Sequence, residues 1–218
     1  MKARSALRSA AVAACALAAA GDGAAAPREN DPVAIVEAAS PGLELHPFDL
    51  AAAGRTAALG ADGRLVLGYL KSCWQDSIVG GHVAVEPLQS RVEGGVLARR
   101  RVECDAAGLA RMAEGFSARG GGSLAGAALP EPDVTLYGRS PIVISAQRGT
   151  LAIERLDEAA PALKFELEKG VDLREKGVAL AARALYRFSV GQAAIVVAID
   201  ALAEPGAAPA VGRLVIFR

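Results

Sequence analysis

The sequence predicts an all-β chain built from two successive β-modules around a flexible middle. Three observations carry this reading. Short segments alternate apolar and polar residues, the period of a half-buried strand. Gly, Pro and Asp turn signals separate these segments at close intervals. Aromatic residues make up only 4% of a chain that is 52% hydrophobic, so the interior must be built from Val, Ile, Leu and Ala. A length of 218 residues suits one large domain or two small ones.

The N-terminus is set apart from the fold. Lys2, Arg4 and Arg8 form a basic start, and Ser9 to Ala20 is a short apolar run ending in small residues. This is the pattern of a cleavable secretory signal over residues 1–20, with a second cleavage option up to residue 26. The run is too short to span a bilayer, which needs roughly 20 apolar residues, and nothing later resembles a transmembrane segment. A minority reading takes Val12-Ala13-Ala14-Cys15 as a lipobox with a lipid anchor at Cys15, but the apolar stretch before it is short. Removing the signal takes away three basic residues from a chain with 24 of each sign, leaving it net acidic. A nucleic-acid binder would carry a clustered excess of the opposite sign.

The first module is expected over residues 30–105. Val33-Ala34-Ile35-Val36 and Leu43-Glu44-Leu45 are apolar segments split by Ser40-Pro41-Gly42. Ala61-Asp62-Gly63 reads as a turn leading into a strand from Arg64 to Leu70. Further strands are expected from His82 to Glu86 and from Val96 to Cys104. Gly80-Gly81 and Gly94-Gly95 each precede one of them, as turns with positive φ or points of close backbone approach. In the last segment Arg99, Arg101 and Glu103 share one face, and Arg100 breaks the pattern on the other. An edge strand tolerates such charge, which also discourages edge-to-edge aggregation.

Residues 106–133 read as a short helix followed by a Gly/Pro-rich linker. Leu109, Met112, Ala113 and Phe116 recur at helical spacing, with Asp105 as N-cap. The second module, residues 134–218, holds about seven short strands. Leu151 and Ile153, then Leu163, Phe165 and Leu167, then Tyr186, Phe188 and Val190 alternate with polar neighbours. Thr135 to Tyr137 and Ile142 to Ile144 precede them. Ala193 to Ile199 is a nearly continuous apolar run, and Arg213 to Phe217 closes the set. This spacing suits a small immunoglobulin-like β-sandwich, although the module lacks the Cys and Trp of antibody domains.

In "ALGADGRLVLGYL" (Ala58 to Leu70) and "GGHVAVEPLQSRVEGG" (Gly80 to Gly95) a glycine turn introduces an apolar strand, and polar turns link further short strands. Here the first module resembles the FecR-like domains of bacterial envelope proteins. The resemblance covers about 70 residues. It implies a β-roll or solenoid-like fold and an extracytoplasmic sensing or binding module. The FecR relay to a sigma factor is not implied, because no cytoplasmic segment or intervening transmembrane helix is found, and no functional residue maps across.

Chemical motifs are few. Ile78-Val79-Gly80-Gly81 echoes the new N-terminus of an activated trypsin-like protease. However, Ser77 precedes it in place of a basic residue, no Gly-Asp-Ser-Gly-Gly follows, and no His stands at a useful distance. Gly121-Gly122-Ser123-Leu124-Ala125 falls short of a lipase elbow. His46 and His82 lie in different segments, and Glu154, Asp157, Asp172 and Glu175 read as a solvated surface, not a cation cage. No cofactor or metal is expected.

With Cys15 in the signal, Cys73 and Cys104 form an even pair in an exported protein, which predicts a disulfide. Trp74 is expected to pack on it, or else to offer a stacking platform. Arg99 to Arg101 form either an ordinary charged edge or a contact for an anionic envelope polymer. Candidate partner-binding residues are therefore Trp74, Arg99 and Arg101. The reading is a periplasmic or secreted protein that binds an envelope protein or polymer without catalysis, in sensing or assembly. The alternative is a hydrolase with a site assembled from scattered carboxylates and His82, drawing on Asp76, Glu86 and Glu103.

Overall fold

The computed structural model describes residues 31–115, 129–206 and 208–218. The expected signal, Cys15, Phe116 and most of the Gly/Pro-rich linker lie outside these residues. The described chain is all-β apart from one short α-helix and one 3-10 turn.

Six strands form the first sheet: β1 (Pro32–Ala39), β2 (Leu50–Ala52), β3 (Thr56–Tyr69), β4 (Trp74–Val85), β5 (Ser90–Glu93) and β6 (Val96–Arg101). Its order is β2-β1-β3-β4-β5, with β6 also paired to β4. Leu43 to Leu45 forms no strand, but buried Leu45 still joins the core of this sheet. The expected turn at Ala61-Asp62-Gly63 lies inside β3 as a bulge. Gly60 pairs with Gly81 and Arg64 with Val79, so three residues of β3 bulge out opposite a single residue of β4.

The strand expected from His82 is the second half of β4. β4 is continuous from Trp74, so Gly80-Gly81 bends a strand and does not separate two. Its first half pairs with β6 and its second half with β5 in one unbroken register, Trp74 opposite Arg101 and Val85 opposite Ser90. That register sets Gly80-Gly81 against Gly94-Gly95. Gly80, Gly81 and Gly94 have φ of 71°, 74° and 68°. A Cβ on Gly81 would lie 2.3 Å from the Glu93 carbonyl oxygen, and one on Gly95 would lie 2.3 Å from that of Gly80. Only glycine permits both the conformation and the contact.

Beyond Arg101 the chain reaches Cys104, whose sulfur is bonded to that of Cys73 with the Cα atoms 5.7 Å apart. The Val102 N–H donates to the Cys73 carbonyl at 2.9 Å, so the bridge closes the open end of the β4–β6 pair. Helix α1 (Ala106–Ala113) follows, capped by the Asp105 carboxylate. Oδ1 of Asp105 accepts from the Gly108 N–H at 2.9 Å, and Oδ2 accepts from Thr135 N–H at 3.0 Å. Gly108 is explained by crowding, since a Cβ there would press on Asp105 and Val134.

The second half has eight strands: β7 (Val134–Gly138), β8 (Ile142–Ser145), β9 (Gly149–Arg155), β10 (Leu163–Leu167), β11 (Gly170–Asp172), β12 (Leu185–Val190), β13 (Ala193–Glu204) and β14 (Leu214–Phe217). A 3-10 turn, Ala210–Arg213, occupies the position where β14 was expected to begin. The strands make a five-stranded sheet, β10-β9-β12-β13-β7, and a three-stranded one, β11-β8-β14. Two pairings are parallel, β7 with β13 and β8 with β14. β8 and β14 are buried at every residue. Strands covered on both faces need continuous apolar runs, which accounts for Ile142-Val143-Ile144 and Leu214-Val215-Ile216-Phe217.

One face of that small sheet packs on the five-stranded sheet. The apolar cluster around it also takes in Ile35 and Leu70 of the first half and Leu109 and Met112 of α1. The core therefore crosses the boundary between the halves. Gly68 on β3 allows the contact, because a Cβ there would lie 2.9 Å from the Val211 side chain. Among the described residues no helix is long and apolar enough to cross a membrane.

Candidate functional site

The β4–β6 pairing distributes its polar side chains onto two faces. Asp76 pairs across the strands with Arg99, Gln75 with Arg100 and Trp74 with Arg101. On the face shared with the first core, Asp76 is fully buried. Arg99 clamps it in a fork, Nε to Oδ1 at 2.6 Å and Nη2 to Oδ2 at 2.9 Å. Arg99 also donates to the Gln89 side chain and the Ser90 carbonyl. The Ser90 N–H donates to Asp76 Oδ2 at 2.8 Å, and the Ser90 and Tyr69 hydroxyls share a hydrogen bond. Burial pushes the Tyr69 phenol far above its ordinary range, so it stays protonated. A buried carboxylate is tolerable only when paired and hydrogen-bonded in this way.

Arg99 is thus committed to holding the sheet together. Arg101 lies over the half-buried Trp74 ring, 5.8 Å from its centroid, so one ring face carries a cation. Trp74 packs at the rim of the first core beside the disulfide-bonded Cys73.

At its Gln75–Arg100 end the other face of β4 and β6 lies near the second half, and here Arg100 is the arginine that matters. Two hollows flank it, with Arg100 and Ala208-Pro209 common to both. The first, about 400 Å³, is lined by Arg100 and Arg101 together with Glu103, Glu204 and Tyr137. Leu202 stands at its rim, 84% exposed. Burial raises the Tyr137 phenol above its usual range, helped by the charges of Asp105, Asp200 and Glu103, which keeps it a hydrogen-bond donor. The second hollow, about 460 Å³, lies between the end of β1, the Pro47-Phe48 corner and the 3-10 turn. Phe48 holds a φ of 71°, costly for a bulky residue.

An Asp–Arg fork backs the second hollow. Arg213, 2% exposed, donates to both oxygens of Asp172 at 2.9 and 3.0 Å and to the carbonyls of Ser140 and Ala208. Gly138 makes room for its stem. Burial opposes ionisation of Asp172, but the Arg213 hydrogen bonds, the Arg174 N–H and both arginine charges outweigh it. The carboxyl sits below its usual range.

The residues of the hydrolase alternative are spread out. Asp76 is sealed under Arg99, and Glu86 sits 3.4 Å from exposed Arg91. Glu103 lines the first junction hollow. Exposed His82 lines a separate shallow hollow of about 380 Å³ on the β3–β4–β5 surface. Among the described residues no three His, Cys, Asp or Glu stand together as metal ligands.

Arg100 and the groove it divides are the features that sequence reasoning missed. The signal was present in the break of alternation at Arg100, but its value depends on what the second half brings opposite that face. Comparison of the chain with protein-family models, with curated proteins and with solved structures finds no match.

Proposed function

We propose that this chain is an exported bacterial envelope protein, periplasmic or secreted, that works by non-enzymatic binding in sensing or assembly. In this reading the first half is a FecR-like module and the second an immunoglobulin-like one. The observation that carries the proposal is the groove where the halves meet. It brings together two arginines, two glutamates, a protonated Tyr137 and an exposed Leu202. Mixed polar contacts around an apolar anchor are the makings of a macromolecular contact. The disulfide agrees with an oxidising compartment. The expected partner is an envelope protein or polymer.

The test places a photoreactive side chain at position 202, at position 101, and at exposed Lys164 on β10 as a control. After irradiation in cells exporting the protein, positions 202 and 101 should yield the same adduct and position 164 none. Adducts from neither groove position, together with turnover of a substrate in a hydrolase panel, would overturn the proposal.

A further inference from the structure

We infer that the second hollow is a subsite for a small zwitterion, an α-amino acid with its ammonium and carboxylate on the same carbon. This inference rests on the binding role above and names a ligand class for it. The cavity, about 460 Å³, falls within the range of small-molecule sites.

Its charges do not cancel locally. Arg100 donates from Nε to Gln75 Oε1 at 2.6 Å, and among the described residues it pairs with no carboxylate. Glu37 accepts from Gln75 Nε2 and, at 3.3 Å, from the Val211 N–H, and no described cation pairs with it. Buried Gln75 therefore grips both groups. Its oxygen must face the guanidinium and its nitrogen the carboxylate, so the amide orientation is fixed. The two opposite charges are held on either side of a neutral amide and do not meet. Asp172 is already neutralised by Arg213 and Arg174. Glu175 adds a further carboxylate to the lining.

A lone anion would satisfy Arg100 and be repelled by Glu37, and a lone cation the reverse. A molecule carrying both charges satisfies both ends at once. Charge-assisted hydrogen bonds of this kind are the strong ones. Phe48, Ile142 and Pro209 supply apolar wall for a modest side chain.

Isothermal titration of the full chain with a panel of free α-amino acids tests this. At least one should bind with a Kd below roughly 1 mM. Its N-acetyl derivative and its methyl ester, each lacking one charge, should bind at least about tenfold more weakly. Arg100→Gln and Glu37→Gln should each lose about tenfold or more, while Arg148→Gln, an equal charge change at an exposed residue that lines neither hollow, should bind as the parent does. If Glu37→Gln proves unfolded by circular dichroism, exposed Arg100→Gln decides alone. Binding by no amino acid up to roughly 10 mM, equal binding of a single-charge analogue, or full binding by Arg100→Gln would each overturn the inference. Intact cross-links from positions 202 and 101 would then leave the binding role standing. Chemical consumption of a bound amino acid would instead overturn that role.

Discussion

Gly81→Ala and Gly94→Ala form a matched pair that isolates what the glycine corner requires. Both residues have positive φ, 74° and 68°. Alanine at either should cost about 1–2 kcal/mol from the left-handed backbone. They differ in surroundings. A Cβ on Gly94 meets nothing within 4 Å, whereas one on Gly81 would sit 2.3 Å from the Glu93 oxygen and 2.6 Å from the Gly95 nitrogen. Both neighbours are backbone, so relief means moving β4 away from the β5–β6 connection by about 1 Å, which is overpacking at about 1–3 kcal/mol. Gly81→Ala should therefore cost about 2–5 kcal/mol in all, against about 1–2 for Gly94→Ala. Urea unfolding followed by fluorescence measures both, since Trp74 is the chain's single Trp and begins the same strand. The slope should stay constant, making the midpoint a direct readout. Equal costs within about 0.5 kcal/mol, or a larger cost at Gly94, would refute the close-approach argument.

Two further predictions concern the buried ion pairs. Arg99→Met leaves the fully buried Asp76 without its cation and should cost about 3–5 kcal/mol, while Arg101→Met loses only a cation–π contact at about 0.5–1 kcal/mol; equivalent melting curves for the two variants would contradict the network. Asp172→Asn should cost about 3–5 kcal/mol near neutral pH by stranding Arg213. The folded-state carboxyl lies below its unfolded value of about 3.8, so its stabilisation is complete above that pH and fades as pH falls through the folded value. Thermal melts at descending pH should show the parent losing more stability below pH 4 than Asp172→Asn does, and parallel acid limbs would count against the pair.

Sequence periodicity located most strands because alternation reports directly on which face is buried. Leu151 and Ile153, Leu163 and Leu167, and Tyr186 and Phe188 stand in strands where they were expected. Cys73 and Cys104 are bonded, and the helix starts at the Asp105 cap. What escaped was pairing. Nothing local says that Arg99 answers Asp76 across 23 residues or that Arg213 answers Asp172 across 41. Gly80-Gly81 reads locally as a turn. Only the facing Gly94-Gly95 reveals it as the bend of a continuous strand. The three-residue strands β2 and β11 are too short to show a period. The groove depends on two distant segments, β6 and the 208–213 stretch, meeting across Gly68, and Arg100 acquires its surroundings only then.

The core that spans both halves ties together segments far apart in the sequence. Glu37 meets Val211 across 174 residues, and Asp31 meets Arg218 across 187. Contacts of such sequence separation raise the loop-closure cost and slow all-β chains into the millisecond-to-second range. Delivered N-terminus first, the β1–β6 sheet would present Ile35 and Leu70 uncovered, and β8 would lack its parallel neighbour, until Leu214 to Phe217 arrive. The chain stays unfinished for nearly the whole of its delivery. Until then that apolar surface stays uncovered, and the three-stranded sheet is complete only when β14 pairs with β8.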